Sequence, residues 1–210
     1  MTAKKGLAEY RRRRDFSKTA EPKGSGTGTG TAREPDDRPS FVVQIHDATT
    51  LHFDFRLEVD GVLKSWAVPK GPSSDPHDKR LAMPTEDHPL EYREFEGVIA
   101  DGEYGAGSVI IWDEGTYRNL SARRDGTEIP FAEALADGHA SFRLHGRKLH
   151  GGYSLTRFRT ADGGRREAWL LVKHAAERAS AKGTPDPWRA RSTRSRRTLR
   201  QMAEAGGGQP

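Results

Sequence analysis

The sequence contains no cysteine in its 210 residues, which excludes disulfides and thiolate-held zinc. No apolar run approaches the length of a membrane span, and the opening Met1-Thr2-Ala3-Lys4-Lys5-Gly6 lacks the apolar stretch of a secretory signal. A soluble cytoplasmic protein with no membrane contact is the expectation. A covalent nucleophile is also missing, since Ser65 and Ser73 have no evident paired base. The Gly-rich turn Asp101–Gly107 precedes an apolar strand rather than a helix, so it is not a phosphate-cradling loop.

What charge there is lies unevenly. The net charge is +5. Residues 1–40 hold 10 Lys and Arg against 6 Asp and Glu, and residues 182–210 hold 7 against 2, so the middle is slightly acidic. Basic tails beside a functional domain point to contact with a polyanion.

The most informative stretch is Leu51-His52-Phe53-Asp54-Phe55-Arg56-Leu57. Its apolar–polar alternation has period two, the signature of a strand. Leu51, Phe53, Phe55 and Leu57 share a core face, and His52, Asp54 and Arg56 share the other. Taken singly, these polar residues would be solvated groups on a sheet. In register, His and Asp form a ligand pair for a divalent metal, with an Arg placed to hold an oxyanion beside it. A turn at Asp47–Thr50 folds His46 back towards His52, so His46, His52 and Asp54 make a facial set with open positions.

Along the chain, residues 1–38 read as a flexible basic arm, with a Gly/Thr linker over 24–32. Residues 39–178 carry the domain. Strands are expected near 40–46, 51–59 and 62–68, with Asp60-Gly61 as a tight hairpin turn. Others are expected at 79–83, around 97–99, 109–112 and 115–117, and near 140–145, 152–158 and 167–173. A short helix is expected at 131–137 after Pro130, and a basic helix from Ser192 to Ala205 within a C-terminal tail, 179–210. About ten short strands with one or two minor helices indicate an all-β barrel or sandwich. The expected fold is a compact β-barrel of eight to ten strands with short peripheral helices and flexible basic tails.

The remaining chemistry clusters in type. Arg56, Lys70 (held in a bend by Pro69 and Pro72) and Arg80 are candidates for phosphate. Glu86 and His88 point the same way in an extended segment, and Tyr92 follows. Mixed imidazole and carboxylate ligation leans towards manganese. Three cations suit a transferring phosphoryl group, and a metal-polarised phosphoryl oxygen attacked by water is the economical mechanism. His88 would protonate the leaving oxygen or bind the transition state, with Tyr92 positioning it. His77, His139, His145, His150 and His174 have no ligand-like setting.

These residues carry a specific resemblance. His46-Asp47-Ala48, the Leu51–Leu57 run, Leu63-Lys64-Ser65-Trp66-Ala67-Val68-Pro69-Lys70-Gly71-Pro72, Glu86-Asp87-His88-Pro89-Leu90 and Phe95-Glu96-Gly97-Val98-Ile99 follow in order. Together with Tyr104-Gly105-Ala106-Gly107 and Val109-Ile110-Ile111-Trp112-Asp113, they resemble the 3′-phosphoesterase domain of bacterial DNA ligase D over residues 40–175. Arg14-Asp15-Phe16, Thr19 and Glu21-Pro22 resemble that family's N-terminal segment.

The resemblance implies a manganese-dependent enzyme of DNA end joining that removes a 3′-terminal ribonucleoside and then the 3′-phosphate. It implies His46, His52 and Asp54 as metal ligands. It also implies Arg56, Lys70, Arg80, Glu86, His88 and Tyr92 as phosphate and catalytic residues, with Arg14 and Asp15 assisting the diesterase step. The implied partners are DNA primer–templates or ends with a 3′ ribonucleotide or 3′-phosphate, and a DNA ligase, polymerase/primase or Ku in trans. With no Lys-x-Asp-Gly ligase motif, a stand-alone form or an excised domain is expected. The rival readings are a non-catalytic DNA-end-binding module and a phosphodiesterase for small nucleotides.

Overall fold

The computed structural model of the chain describes residues 6–24, 38–161, 166–175, 184 and 186–206. The Gly/Thr linker expected at 24–32 lies outside the described residues except for Gly24. Among the described residues there are ten strands: β1 (Ser40–Asp47), β2 (Leu51–Val59), β3 (Val62–Val68), β4 (Arg80–Pro84), β5 (His88–Pro89), β6 (Gly97–Ile99), β7 (Gly107–Asn119), β8 (His139–Gly146), β9 (His150–Arg159) and β10 (Ala168–Lys173). The helices among the described residues are short: α1 (Ala8–Arg12), α2 (Phe131–Ala136) and α3 (Leu199–Gly206). A 3-10 turn spans Leu90–Glu94.

The fold is all-β, as expected, and the barrel alternative is the one realised. Eight antiparallel strands close in the order β1-β2-β3-β4-β10-β9-β8-β7, with β7 pairing back onto β1. β5 and β6 add to the outside, on β3 and β7. The β2–β3 turn is the expected one: Asp60 and Gly61 both have positive φ, 49° and 80°, as a two-residue hairpin of primed type requires. Phe41, Val43 and Ile45 from β1 and Phe53, Phe55 and Leu57 from β2 point inward with Trp112, Phe142 and Trp169. These buried side chains fill the eight-stranded barrel, so its interior is core rather than channel. Among the described residues no helix is long and apolar enough to cross a membrane.

The outer face of β1–β3 carries the polar row read from the sequence. It is roofed rather than wet, and β2 is buried on both faces from Phe53 to Val59. The roof is a second apolar cluster of Tyr10, Leu63, Tyr92, Phe95, Ile99 and Val109, with Phe16 and Leu90 packed against it. Tyr10 on α1 is fully buried, and its hydroxyl donates to the Pro22 carbonyl at 2.7 Å. Residues 6–24, expected as part of a flexible arm, are therefore a docked wall of the domain.

The C-terminal basic stretch is likewise packed rather than loose. Ala190, Leu199 and Met202 join the main core, the Thr193 N–H donates to the Ile111 carbonyl, and Ser192 Oγ donates to Glu96. The expected helix starts seven residues later than Ser192. Ser192 Oγ instead accepts from the N–H groups of Arg194 and Ser195, and Arg196 sits in the left-handed region at φ 64°. The helix begins after Thr198, whose N–H donates to Gln201 Oε1 while the Gln201 N–H donates to Thr198 Oγ1. That reciprocal pair is a capping box.

Candidate metal and phosphate site

The β1–β2 hairpin sets the site. Its register places His46 opposite His52 and Gln44 opposite Asp54. Because side chains alternate along a strand, His46 and Gln44 share the outer face with His52, Asp54 and Arg56. Ligand atoms of His46, His52 and Asp54 all lie within 4.8 Å of one another. His46 Nδ1 is 3.6 Å from Asp54 Oδ2, and His52 Nε2 is 3.6 Å from Asp54 Oδ1. Each imidazole has its other nitrogen on a backbone carbonyl, His46 Nε2 at 2.7 Å from Gly105 O and His52 Nδ1 at 2.8 Å from Thr50 O. Those bonds fix the tautomer and leave the inner nitrogens as lone pairs aimed at a carboxylate. Three acceptors converging this way call for a cation, and the donor set fits a divalent metal of intermediate softness.

The electrostatics agree. Burial favours the neutral form of the Asp54 carboxyl, but the Arg56 guanidinium and the two imidazoles outweigh it and hold its pKa well below the ordinary value. Burial also disfavours a charged His52, yet the Asp54 carboxylate prevails and lifts the imidazole above its ordinary value.

Arg56 is the hub beside this triad. It is 3% exposed. Its Nε donates to Gln44 Oε1 at 2.7 Å, Nη1 donates to Ser65 Oγ at 2.9 Å, and Nη2 meets Asp54 Oδ2 at 3.0 Å. Gln44 in turn donates to the carbonyls of Tyr92 and Phe95, so the guanidinium is locked to the roof. His88 Nδ1 lies 2.9 Å from Arg56 Nη1 and 2.8 Å from the Glu86 carbonyl, and Nε2 lies 3.4 Å from Arg14 Nη2. Burial, then the Arg56 and Arg14 charges, push its pKa well below the ordinary imidazole value. His88 therefore favours the neutral form, with Nδ1 placed between the Arg56 guanidinium and the Glu86 carbonyl.

A cleft of about 210 Å³ joins these groups, lined by Arg14, His46, His52, Asp54, Arg56, Glu86, His88, Tyr92 and Tyr104. Arg14 arrives from the docked N-terminal wall. Its Nε meets Glu21 Oε1 at 2.9 Å, its Nη1 meets Glu86 Oε1 at 3.0 Å, and the Tyr10 ring lies 3.9 Å from its guanidinium. Tyr92 also donates to Glu21 Oε1, at 2.9 Å, so its hydroxyl is committed to the wall and its ring to His88 and Arg56.

Three of the residues singled out from the sequence are not brought into the cleft. Asp15 lies outside, accepting from the Ser17 N–H and hydroxyl and facing Lys18 at 3.5 Å. Lys70 is exposed in the bend after β3, and Arg80 is held by Asp78 at 2.6 Å. Conversely, Tyr10, Glu21, Gln44, Ser65 and Tyr104 were not assigned roles from the sequence. Gln44 had a readable signal in its period-two spacing from His46, and Glu21, Ser65 and Tyr104 lay within the motifs that carry the family resemblance.

The buried neutral His88 has a pH consequence. An imidazole whose folded pKa is depressed contributes stability in full above its unfolded value, and that contribution is lost as pH falls towards the folded value. In metal-free protein, His88→Gln should therefore flatten the decline in unfolding free energy between about pH 7 and about pH 5, around the unfolded imidazole value of about 6.5. Urea unfolding across that range measures it. Parallel profiles for the two proteins would contradict a His88 held neutral between guanidinium groups.

Comparison with known proteins agrees with this geometry. Residues 44–157 match the model of the DNA Ligase D 3'-phosphoesterase domain. The chain is 50% identical over 176 residues to the multifunctional non-homologous end joining protein LigD of Pseudomonas aeruginosa, covering 82% of this chain and 19% of that protein. It is 48% identical over 152 residues to the multifunctional non-homologous end joining DNA repair protein LigD of Mycobacterium tuberculosis, covering 72% of this chain and 18% of the relative. Mycolicibacterium smegmatis LigD is 43% identical over 152 residues, 71% of this chain and 19% of its own. The chain thus spans less than a fifth of the length of the curated relatives it matches. With a barrel that carries a His-His-Asp donor set beside a buried arginine, the chain belongs to the DNA ligase D 3′-phosphoesterase family.

Proposed function

We propose that the domain is a manganese-dependent DNA 3′-end-healing phosphoesterase. It removes a 3′-terminal ribonucleoside, leaving a 3′-phosphate, and then removes that phosphate to leave a 3′-OH for ligation. The observation that carries this reading is the convergence of His46, His52 and Asp54 on one point with Arg56 at its edge and His88 in the same cleft.

A divalent ion held by that donor set supplies Lewis-acid polarisation of a phosphoryl oxygen. The chain's own residues do the rest. Arg56 and Arg14 set fixed positive charge where phosphoryl oxygens gather. His88, disfavoured as a cation in the free site, gains proton affinity when the negative charge of a bound phosphate offsets the two guanidinium groups beside it, and so becomes able to protonate the leaving oxygen. Glu86 and Glu21 hold Arg14 in place, and Tyr92 packs the His88 ring. Lys70 emerges at the His52 end of the sheet, since Phe53 pairs with Val68, and Arg80 begins the neighbouring strand. Both are proposed to contact phosphates beyond the scissile one. DNA ends are the proposed substrate, with a ligase, polymerase/primase or Ku acting in trans.

The test is a 5′-labelled primer–template ending in one ribonucleotide, incubated with and without manganese. The expected result is manganese-dependent conversion first to the 3′-phosphate and then to the 3′-OH. DNA binding without either product would instead fit a non-catalytic end-binding module. The two steps should also separate by residue. Arg14→Ala should slow ribonucleoside removal more than phosphate removal, because Arg14 is the cleft residue supplied by the N-terminal wall. Asp15→Ala should have a smaller effect, acting through the turn that follows Arg14. Rates on matched diester and monoester substrates read the split, and equal losses in both steps for Arg14→Ala would remove the step-specific role.

A further inference from the structure

Four large hydrophobic side chains are exposed among the described residues, Leu81, Tyr104, Phe158 and Trp188, and of these only Tyr104 lines the metal cleft. It keeps 44% exposure there. Its loop is anchored on both sides. The next residue, Gly105, gives its carbonyl to His46 Nε2 at 2.7 Å. At Gly107, φ 138°, a Cβ would stand 2.0 Å from the Asp47 carbonyl, so only glycine allows the loop to lie this close to the end of β1. The ring itself is steadied from the N-terminal wall. Arg13 Nη1 donates to the Tyr104 hydroxyl, and the Arg13 and Arg14 guanidinium groups lie 4.7 and 5.5 Å from the ring centroid.

An aromatic ring fixed at the rim of a phosphate cleft, yet left nearly half exposed, has a chemistry of its own. Exposing it costs hydrophobic stabilisation that burial would give. Nothing in the metal or phosphate chemistry requires it. Every nucleobase has a π-face, and stacking on an aromatic side chain binds an unpaired base without regard to its sequence. We infer that Tyr104 is the platform on which the base of the 3′-terminal nucleoside stacks once it is freed from its template partner, setting its sugar and phosphate over the donor triad. This rests on the phosphoesterase reading for its substrate. Tyr104 is thus a positioning residue and takes no part in proton transfer.

The test separates stacking from hydrolysis. Single-stranded DNA ending in a 3′-terminal 2-aminopurine riboside is bound in the presence of a chelator, and base fluorescence reports stacking. Wild-type protein and Tyr104→Phe should quench it, and Tyr104→Ala should not. With manganese added, Tyr104→Ala should raise KM about tenfold or more on an end with a base, with little change in kcat, and should have no effect on the same end made abasic. Equal losses on both ends would show that the ring only holds Arg13, and unchanged quenching in Tyr104→Ala would overturn the platform. Quenching by a wild-type protein that hydrolyses neither substrate would uphold the platform and sink the proposed reaction instead.

Discussion

Asp54→Asn should abolish hydrolysis, to at least about a thousandfold below wild type, and abolish manganese binding with it. Asp54 supplies the anionic member of the triad, and both imidazoles aim their lone pairs at its two oxygens. An amide has almost the same shape but no charge to hold a divalent ion between two neutral rings. The asparagine variant is preferable to alanine for a second reason. The carboxylate also faces the buried Arg56, and removing one partner of a buried pair costs about 3–5 kcal/mol. Asparagine keeps a hydrogen-bond acceptor for Arg56 Nη2, so loss of function can be read apart from loss of fold. Calorimetric titration with manganese, a thermal melt and the end-healing assay together decide. Wild-type metal affinity in Asp54→Asn would overturn the triad as the metal site.

Arg56→Met should give the opposite pattern at the metal. Arg56 Nη2 lies 3.0 Å from the same Asp54 oxygen that faces His46. Its charge therefore competes with a divalent ion for that carboxylate. Manganese affinity should hold or rise, while hydrolysis of diester and monoester alike falls by about 10²–10³, the usual effect of removing a fixed transition-state donor. Lysine should not rescue it, because the planar fork reaches Gln44, Ser65 and Asp54 at once and an ammonium does not. Stability of the metal-free variant should fall, since Asp54 is left buried without its guanidinium, and manganese should restore part of it. Recovery of full activity at high manganese would show that Arg56 serves the metal site rather than the phosphate.

The hairpin was readable because everything needed for it is local. Period two over Leu51–Leu57 identified the strand, and the short turn before it brought His46 opposite His52. The Asp60-Gly61 turn carried its own backbone signature. The closure of β7 onto β1 was not readable, since that pairing joins residues more than sixty apart, such as Ser40 and Thr116, and no local pattern encodes it. The roof was hidden for the same reason. Tyr10, Tyr92 and Phe95 are single aromatics in three separate segments, and only together do they bury the outer face of β2. Without that roof, His52, Asp54 and Arg56 look like a wet face, and Arg14 looks like one charge in a run of four arginines. Lys70 and Arg80 were credible as phosphate ligands by residue type and, for Lys70, by its Pro-flanked bend, but Lys70 sits in an exposed turn and Arg80 is paired with Asp78. The C-terminal helix start was misplaced although Thr198-x-x-Gln201 announced it, because Ser192 offered an earlier cap that a left-handed Arg196 prevents from being used.

The three metal-facing residues span only nine positions of one hairpin, with a three-residue turn between its strands. A loop this short closes with little entropic loss and on a microsecond timescale, well before distant strands meet. Barrel closure through β1 and β7 and docking of residues 6–24 are long-range events and come later. Contact order therefore predicts that the donor triad assembles first and the cleft around it last. During synthesis the three donors emerge together, long before β7, so a divalent ion bound by them would hold the hairpin in register while the rest of the barrel is still being translated.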